Sequence, residues 1–128
     1  MRKGTGRKFA RKRDQRRALK KSLAVGLITR GTIKTTLAKA KELRPYIERL
    51  ITKARVGNIA DFRHILRYLP RTAARKLFKE IAPKFRDVSG GYTRIIKAGK
   101  RKTDCTPLGI IEFAYKNIDK HESSKETK

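Results

Sequence analysis

The sequence predicts an α+β fold in the order α-β-α-α-α-β-β, a small mixed three-stranded sheet layered with helices and preceded by an extended basic arm. Three observations predict it. Apolar residues recur at helical spacing over four stretches between residues 15 and 83, runs with β-branched and alternating character occupy 32–35, 92–98 and 108–115, and glycine or proline punctuates the joins. A chain of 128 residues suits one modest core.

The first thirteen residues, MRKGTGRKFARKR, hold seven cations and two glycines with no apolar period, which predicts an extended arm that orders on its partner. Asp14 is the candidate N-cap of a helix over 15–30. There Leu19, Leu23 and Leu27 form an i, i+4, i+8 stripe, and Ala24, Val25 and Ile28 make its second half apolar nearly all round. Gly31 can end this helix in the left-handed conformation, and TIKT at 32–35 reads as a short strand.

Thr36 is the next N-cap candidate. After it Leu37, Ala40, Leu43, Ile47, Leu50, Ile51 and Ala54 share one helical face up to Gly57, and the stripe keeps its phase across Pro45, which predicts one kinked helix. Asn58 caps a third helix with Ile59, Phe62, Ile65, Leu66 and Leu69 on one side, closed by Pro70. Thr72 precedes a fourth, with Ala74, Leu77, Phe78 and Ile81 inward and Pro83 at its end. SGG at 89–91 signals a turn, YTRIIKA at 92–98 and LGIIEFAY at 108–115 read as strands, and the basic loop GKRKTDCTP joins them. The division is an arm over 1–13, one α+β domain over 14–116 and a disordered polar tail over 117–128.

Charge narrows the function. Thirty-six Lys and Arg stand against eleven Asp and Glu, a net +25, and eleven of the cations lie in the first twenty-one residues. Each of the segments 1–21, 22–59, 60–88 and 89–128 is net positive. Left unpaired, such charge pushes a compact fold apart, and nucleic acid is the common cellular polymer dense enough in phosphate to absorb it. A localisation signal needs only one cluster; charge in every segment fits a protein embedded among phosphates. Cys105 is the only cysteine, so no internal disulfide and no four-ligand zinc site can form, and the cytoplasm is the expected compartment. No apolar run approaches the length of a membrane span, and the arm holds only Phe9 as a large apolar residue.

Four blocks, in order, resemble one family. IKTTLAKAKELR at 33–44, KLFKEIAPKF at 76–85, GGYTRI at 90–95 and the spacing of Asp104, Pro107 and Glu112 are similar to the bacterial-type large-subunit ribosomal protein numbered seventeen, over about residues 1–115. The resemblance implies a structural constituent of the large ribosomal subunit, bound to its large rRNA near the peptide exit, with neighbouring large-subunit proteins as further partners and an organellar ribosome as an alternative setting. The chain also departs from the family. Lys3 and Arg13-Asp14-Gln15-Arg16 stand where members carry a His and a Ser-Ser-His-Arg run, an aromatic is absent at Lys20, and the loop has Thr103-Asp104 for Gly-Asp.

Lys and Arg bind phosphate by charge and hydrogen bonds, and Arg adds a planar fork that can stack on unpaired bases. The candidate RNA contacts begin with Arg2, Lys3, Arg7, Lys8, Arg11, Lys12 and Arg13 of the arm, continued by Arg16 and Arg17 on the first helix. Lys34, Thr35 and Thr36 sit where a strand meets a helix N-terminus, a natural phosphate site, although Thr36 as an ordinary cap explains the pattern nearly as well. Lys39 and Lys41 follow. Tyr92 is either a base-stacking ring or an interior aromatic; Arg94 and Lys97 accompany it, and Lys100, Arg101 and Lys102 form the loop cluster. Gly90 and Gly91 read as a turn and not a phosphate cradle, since no helix follows. His64 falls on the outer face of its helix. No Cys/His pair or carboxylate spacing supports catalysis, so no enzyme, cofactor, metal, membrane or small-molecule substrate is expected. The alternative is a nucleoid-type protein that coats DNA through the same charge.

Overall fold

The apolar stripe between Leu37 and Ala54 becomes the axis around which most of the described elements pack. A computed structural model describes residue 9, residues 12–88 and residues 90–114. The expected arm, apart from Phe9, Lys12 and Arg13, and the expected tail therefore lie outside the described residues. In chain order the elements are α1 (Arg13–Arg30), β1 (Thr32–Thr36), α2 (Leu37–Val56), α3 (Ile59–Ile65), α4 (Arg71–Lys76), β2 (Thr93–Lys100) and β3 (Pro107–Phe113). α4 runs on through a wide π turn, Leu77–Ile81, and a tight 3-10 turn, Ala82–Phe85.

α2 is one continuous helix with Pro45 inside it, and Ala40, Leu43, Ile47, Leu50, Ile51 and Ala54 are all buried. It packs against α1, α3, the π and 3-10 turns and all three strands. Pro45 faces solvent, where a missing N–H leaves the Lys41 carbonyl reachable by water. Both long helices stop at glycines in the left-handed region: Gly31, φ 79°, whose N–H donates to the Leu27 carbonyl at 2.7 Å, and Gly57, φ 83°.

α1 begins earlier than the sequence suggests. Lys12, not Asp14, is its N-cap, with the Lys12 N–H donating to Gln15 Oε1 at 3.3 Å. Asp14 instead lies in the first turn, where a carboxylate favours the positive end of the helix. The third helix is shorter than expected. Beyond Ile65 the Arg67 and Tyr68 N–H groups donate three residues back, to His64 and Ile65, and this tightening turns Leu66 outward, 37% exposed, while Leu69 enters the core. Ile59 is left 73% exposed and does not join the core stripe. α4 is capped by Pro70 and starts before Thr72. Pro83 cannot donate to the Lys79 carbonyl, and the chain passes it by widening and then tightening, which keeps Leu77, Ile81, Ala82 and Phe85 buried.

The sheet order is β1-β3-β2 and both pairings are antiparallel, so the sheet is not mixed. The reason is that β3, folding back on β2 as a hairpin, inserts between β1 and β2 and runs against both. Cross-strand partners share a face. Ile33 opposite Ile111, Ile95 opposite Ile111 and Thr93 opposite Phe113 point to the helices, and Lys34, Ile96, Ile110, Arg94 and Glu112 lie on the other face. Gly109 permits close packing of the α2 start: a Cβ there would lie 3.1 Å from Leu37 Cδ1.

Candidate nucleic-acid interface

The helices present cations where their own dipoles disfavour them. Lys12, Arg13 and Arg17 are exposed at the positive end of α1, with Arg16 half-buried beside them. Neither α2 nor α4 has an acidic residue in its first turn, yet Lys39 and Arg71 sit there. Such placement is unfavourable for the isolated chain and becomes favourable when an external anion approaches the same turn.

β1 and α2 meet at Thr36, whose hydroxyl accepts from the Lys39 N–H at 3.3 Å. Thr36 thus acts as the cap, Thr35 is half-buried on the helix side of β1, and Lys34 is exposed on the opposite face. Lys41 does not join Lys34. It lines a cleft of about 490 Å³ between α2 and β2 with Leu37, Arg44, Pro45, Glu48, Ile95 and Lys97. Glu48, the cleft's carboxylate, is engaged: its Oε1 accepts from Thr93 Oγ1 at 3.0 Å, from the Thr93 N–H at 3.4 Å and from Arg44 Nε at 3.4 Å. Lys41 and Lys97 are exposed at the rim.

Tyr92 is interior. It is 2% exposed, its ring meets Phe85 edge-on at 5.3 Å, and its hydroxyl lies 3.3 Å from Thr52 Oγ1. With no free π face it cannot stack on a base, so the base-contact reading of Tyr92 is corrected. Arg55 lies over this ring at 6.0 Å and donates to the Val88 carbonyl, closing the lower end of the core. Arg94 pairs with Glu112 across β2 and β3, with its Nε buried and unpartnered.

Lys100, Arg101 and Lys102 stand at the tip of the β2–β3 hairpin, all exposed. The tip is held by the Arg101 N–H donating to the Thr106 carbonyl and the Cys105 N–H donating to the Arg101 carbonyl, each at 2.9 Å. Cys105 adopts φ 57°, and the Asp104 carboxylate accepts from the Thr106 N–H at 3.2 Å. Hydrogen bonds from Thr106, side chain first and then backbone, hold the Asp104 pKa below its ordinary value, and Arg101 adds to this from 3.4 Å. The loop is therefore an ordered tip with one of its cations partly matched. Arg2, Lys3, Arg7, Lys8 and Arg11 lie outside the described residues.

Sequence reading passed over a further stripe. Arg71, Arg75 and Lys79 repeat every four residues along α4 and its continuation, lining a second cleft of about 320 Å³ with Thr72, Lys76 and Glu80. The signal was present as i, i+4, i+8 spacing. Arg44 was missed for another reason: the first cleft forms only when Ile95 and Lys97 of the distant strand β2 fold against α2. Among the described residues no group of three His, Cys, Asp or Glu could hold a metal ion, and no helix is long and apolar enough to cross a membrane.

Residues 19–114 match the family model described as ribosomal protein L17. The chain belongs to the ribosomal protein L17 family. Among curated relatives, the large ribosomal subunit protein bL17 of Campylobacter jejuni is 50% identical over 108 residues, covering 84% of this chain and 92% of the relative. Proteins of the same name from Rickettsia bellii and Sphingopyxis alaskensis are 46% and 44% identical, covering 89% and 91% of this chain and 81% and 84% of theirs. The family resemblance read from the four blocks is thus correct, and with it the class of ribosomal, ribonucleoprotein and translation proteins. The family match takes in every described strand and helix except the start of α1, including both clefts and the hairpin tip.

Proposed function

We propose that this L17-family protein is a structural constituent of the large ribosomal subunit that binds and stabilises folded large-subunit rRNA near the peptide exit. The observation that carries the reading is the distribution of cations: exposed Lys and Arg occupy the start of α1, the α2–β2 cleft, the α4 stripe and the hairpin tip, and the carboxylates of the cleft and the tip, Glu48 and Asp104, are already bonded. The bacterial relatives, whose names place them in the large subunit, support it. The location near the exit rests on the family resemblance alone.

Binding needs no chemical step. Phosphate contacts from Lys12, Arg13, Arg17, Lys41, Lys97 and Lys102 release counterions and fix the orientation of the folded domain, and the cations of residues 2–11 add charge that follows the rRNA backbone. Neighbouring large-subunit proteins are the other partners. No cofactor, metal, membrane or small-molecule substrate enters the reading. Co-sedimentation tests it against DNA coating. The tagged protein remains with the large subunit through high-salt washing and DNase treatment; release by DNase, with none on the large subunit, would overturn the proposal.

A further inference from the structure

Next to the cations at the start of α1, the turn after α3 meets α1 and α2 at a pair of tyrosines. Tyr46 and Tyr68 meet edge to face, ring centres 6.3 Å apart at 84°, and the Tyr46 hydroxyl donates to the Tyr68 carbonyl at 3.4 Å. His64, expected on a solvated outer face, is half-buried with its ring 5.2 Å from that of Tyr68, because the tightened turn after Ile65 brings Tyr68 beside it. Tyr68 nonetheless stays 41% exposed. A tyrosine locked by two ring contacts and still open to solvent has already lost the conformational freedom that stacking would otherwise remove.

The pair forms a ridge between two basic clefts. One, of about 300 Å³, is lined by Arg49, Leu50, Lys53 and His64 with the two tyrosines. The other, of about 490 Å³, is lined by Arg17, Lys20, Lys21 and Arg67 with the same two tyrosines. No carboxylate lines either cleft, and of these cations Lys20 is neutralised by Glu42 at 3.4 Å. Aromatic surface alone would suit a protein partner; aromatic surface between two cationic clefts in which Lys20 alone is paired with a carboxylate suits a polyanion with π faces. In a duplex those faces are buried in the stack, so the fitting ligand is an unpaired stretch.

We propose that Tyr68, braced by Tyr46 and His64, is a stacking platform for an unpaired RNA base, with the phosphates on either side of that base held in the two clefts. The proposal rests on the RNA-binding function above and adds a site to it. Arg17 and Arg67 hold the phosphate on the α1 side, and Arg49 and Lys53 hold the one on the α2 side.

The full-length protein tests this by fluorescence anisotropy with two probes of equal length, a short oligoadenylate and an abasic ribose-phosphate oligomer. Tyr68→Ala weakens oligoadenylate binding roughly tenfold and leaves the abasic probe unchanged, while Tyr68→Phe binds both as the unsubstituted chain does. Arg67→Ala weakens both probes and flattens the salt slope by about one. Circular dichroism melts check each fold, and Tyr68→Leu, which keeps apolar bulk without a π face, replaces the Ala variant if that fails to fold. Equal binding of oligoadenylate by the Tyr68 variants, or an equal loss for both probes, overturns the platform. So does a variant that binds both probes normally but no longer joins large subunits lacking the protein, since the patch would then dock another protein. An unsubstituted chain that never joins the large subunit overturns the function itself, a different outcome from a subunit-bound chain indifferent to Tyr68.

Discussion

The two sides of α2 do opposite work with residues drawn from one sequence. One side buries Leu43, Ile47 and Ile51 completely. The other carries Lys41, Arg44, Pro45 and Arg49, all exposed. Between them lies Glu48, half-buried, which ties the start of β2 to the helix through Thr93. The difference teaches that stability and the RNA binding proposed for this chain can be separated within single helical turns, because burial sets the first and the proposal assigns the second to solvent-facing charge.

Leu43→Ala tests the buried side and has the largest expected effect on stability. Removing a fully buried leucine side chain destabilises by about 2–5 kcal/mol, read by urea unfolding, and a loss below about 1 kcal/mol would mean that the site collapses or that the helical phase is misassigned. Glu48→Ala comes next, at about 1–2 kcal/mol, since Thr93 loses its acceptor while Arg44 loses an exposed partner of little worth. Its chemical-shift changes should centre on β2; changes confined to α2 would break the idea that Glu48 links the two. Lys41→Ala should change stability by less than about 0.5 kcal/mol and flatten the salt slope of RNA binding by about one. A stability loss equal to that of Leu43→Ala would erase the distinction between the two sides.

The smallest expected effect is at the hairpin tip. The Asp104 pKa is depressed in the folded protein, so the carboxylate's contribution to tip order is present above its unfolded pKa and is lost as pH falls through the lower folded value. Amide signals of Cys105 and Thr106 should therefore shift on acidification while those of the α2 core hold. Simultaneous loss of both would show that the tip is not an independent, locally held element.

What the sequence made legible follows from how local each cause is. The α2 stripe was readable because one period runs through Leu37 to Ala54, and the caps at Gly31, Thr36 and Gly57 are set by their own residues. Leu66 was misread as inward because the tightened hydrogen bonds after Ile65 change the phase within one turn, which no 3.6-residue pattern contains. Strand order depends on contacts between distant segments, so three strands could be found without the central place of β3. Tyr92 opens the strand read over 92–98 but lies just before β2, and it is buried while Arg94 and Ile96, which share its parity, lie on the outer face, so the alternation does not say which way it points. The site divides the same way: the hairpin cluster is contiguous and was visible, whereas the cleft joining Lys41 and Arg44 to Lys97, and the ridge joining Tyr46 to Tyr68, exist only once the chain is folded.

The salt dependence of binding between the intact protein and large-subunit rRNA tests the central claim, that phosphate contacts from the solvent-facing cations dominate affinity. If around eight phosphates are neutralised, log affinity falls against log salt with a slope of roughly −6 to −7. A slope shallower than about −2 would contradict it and would mean that the charge written into every segment of this chain serves something other than rRNA.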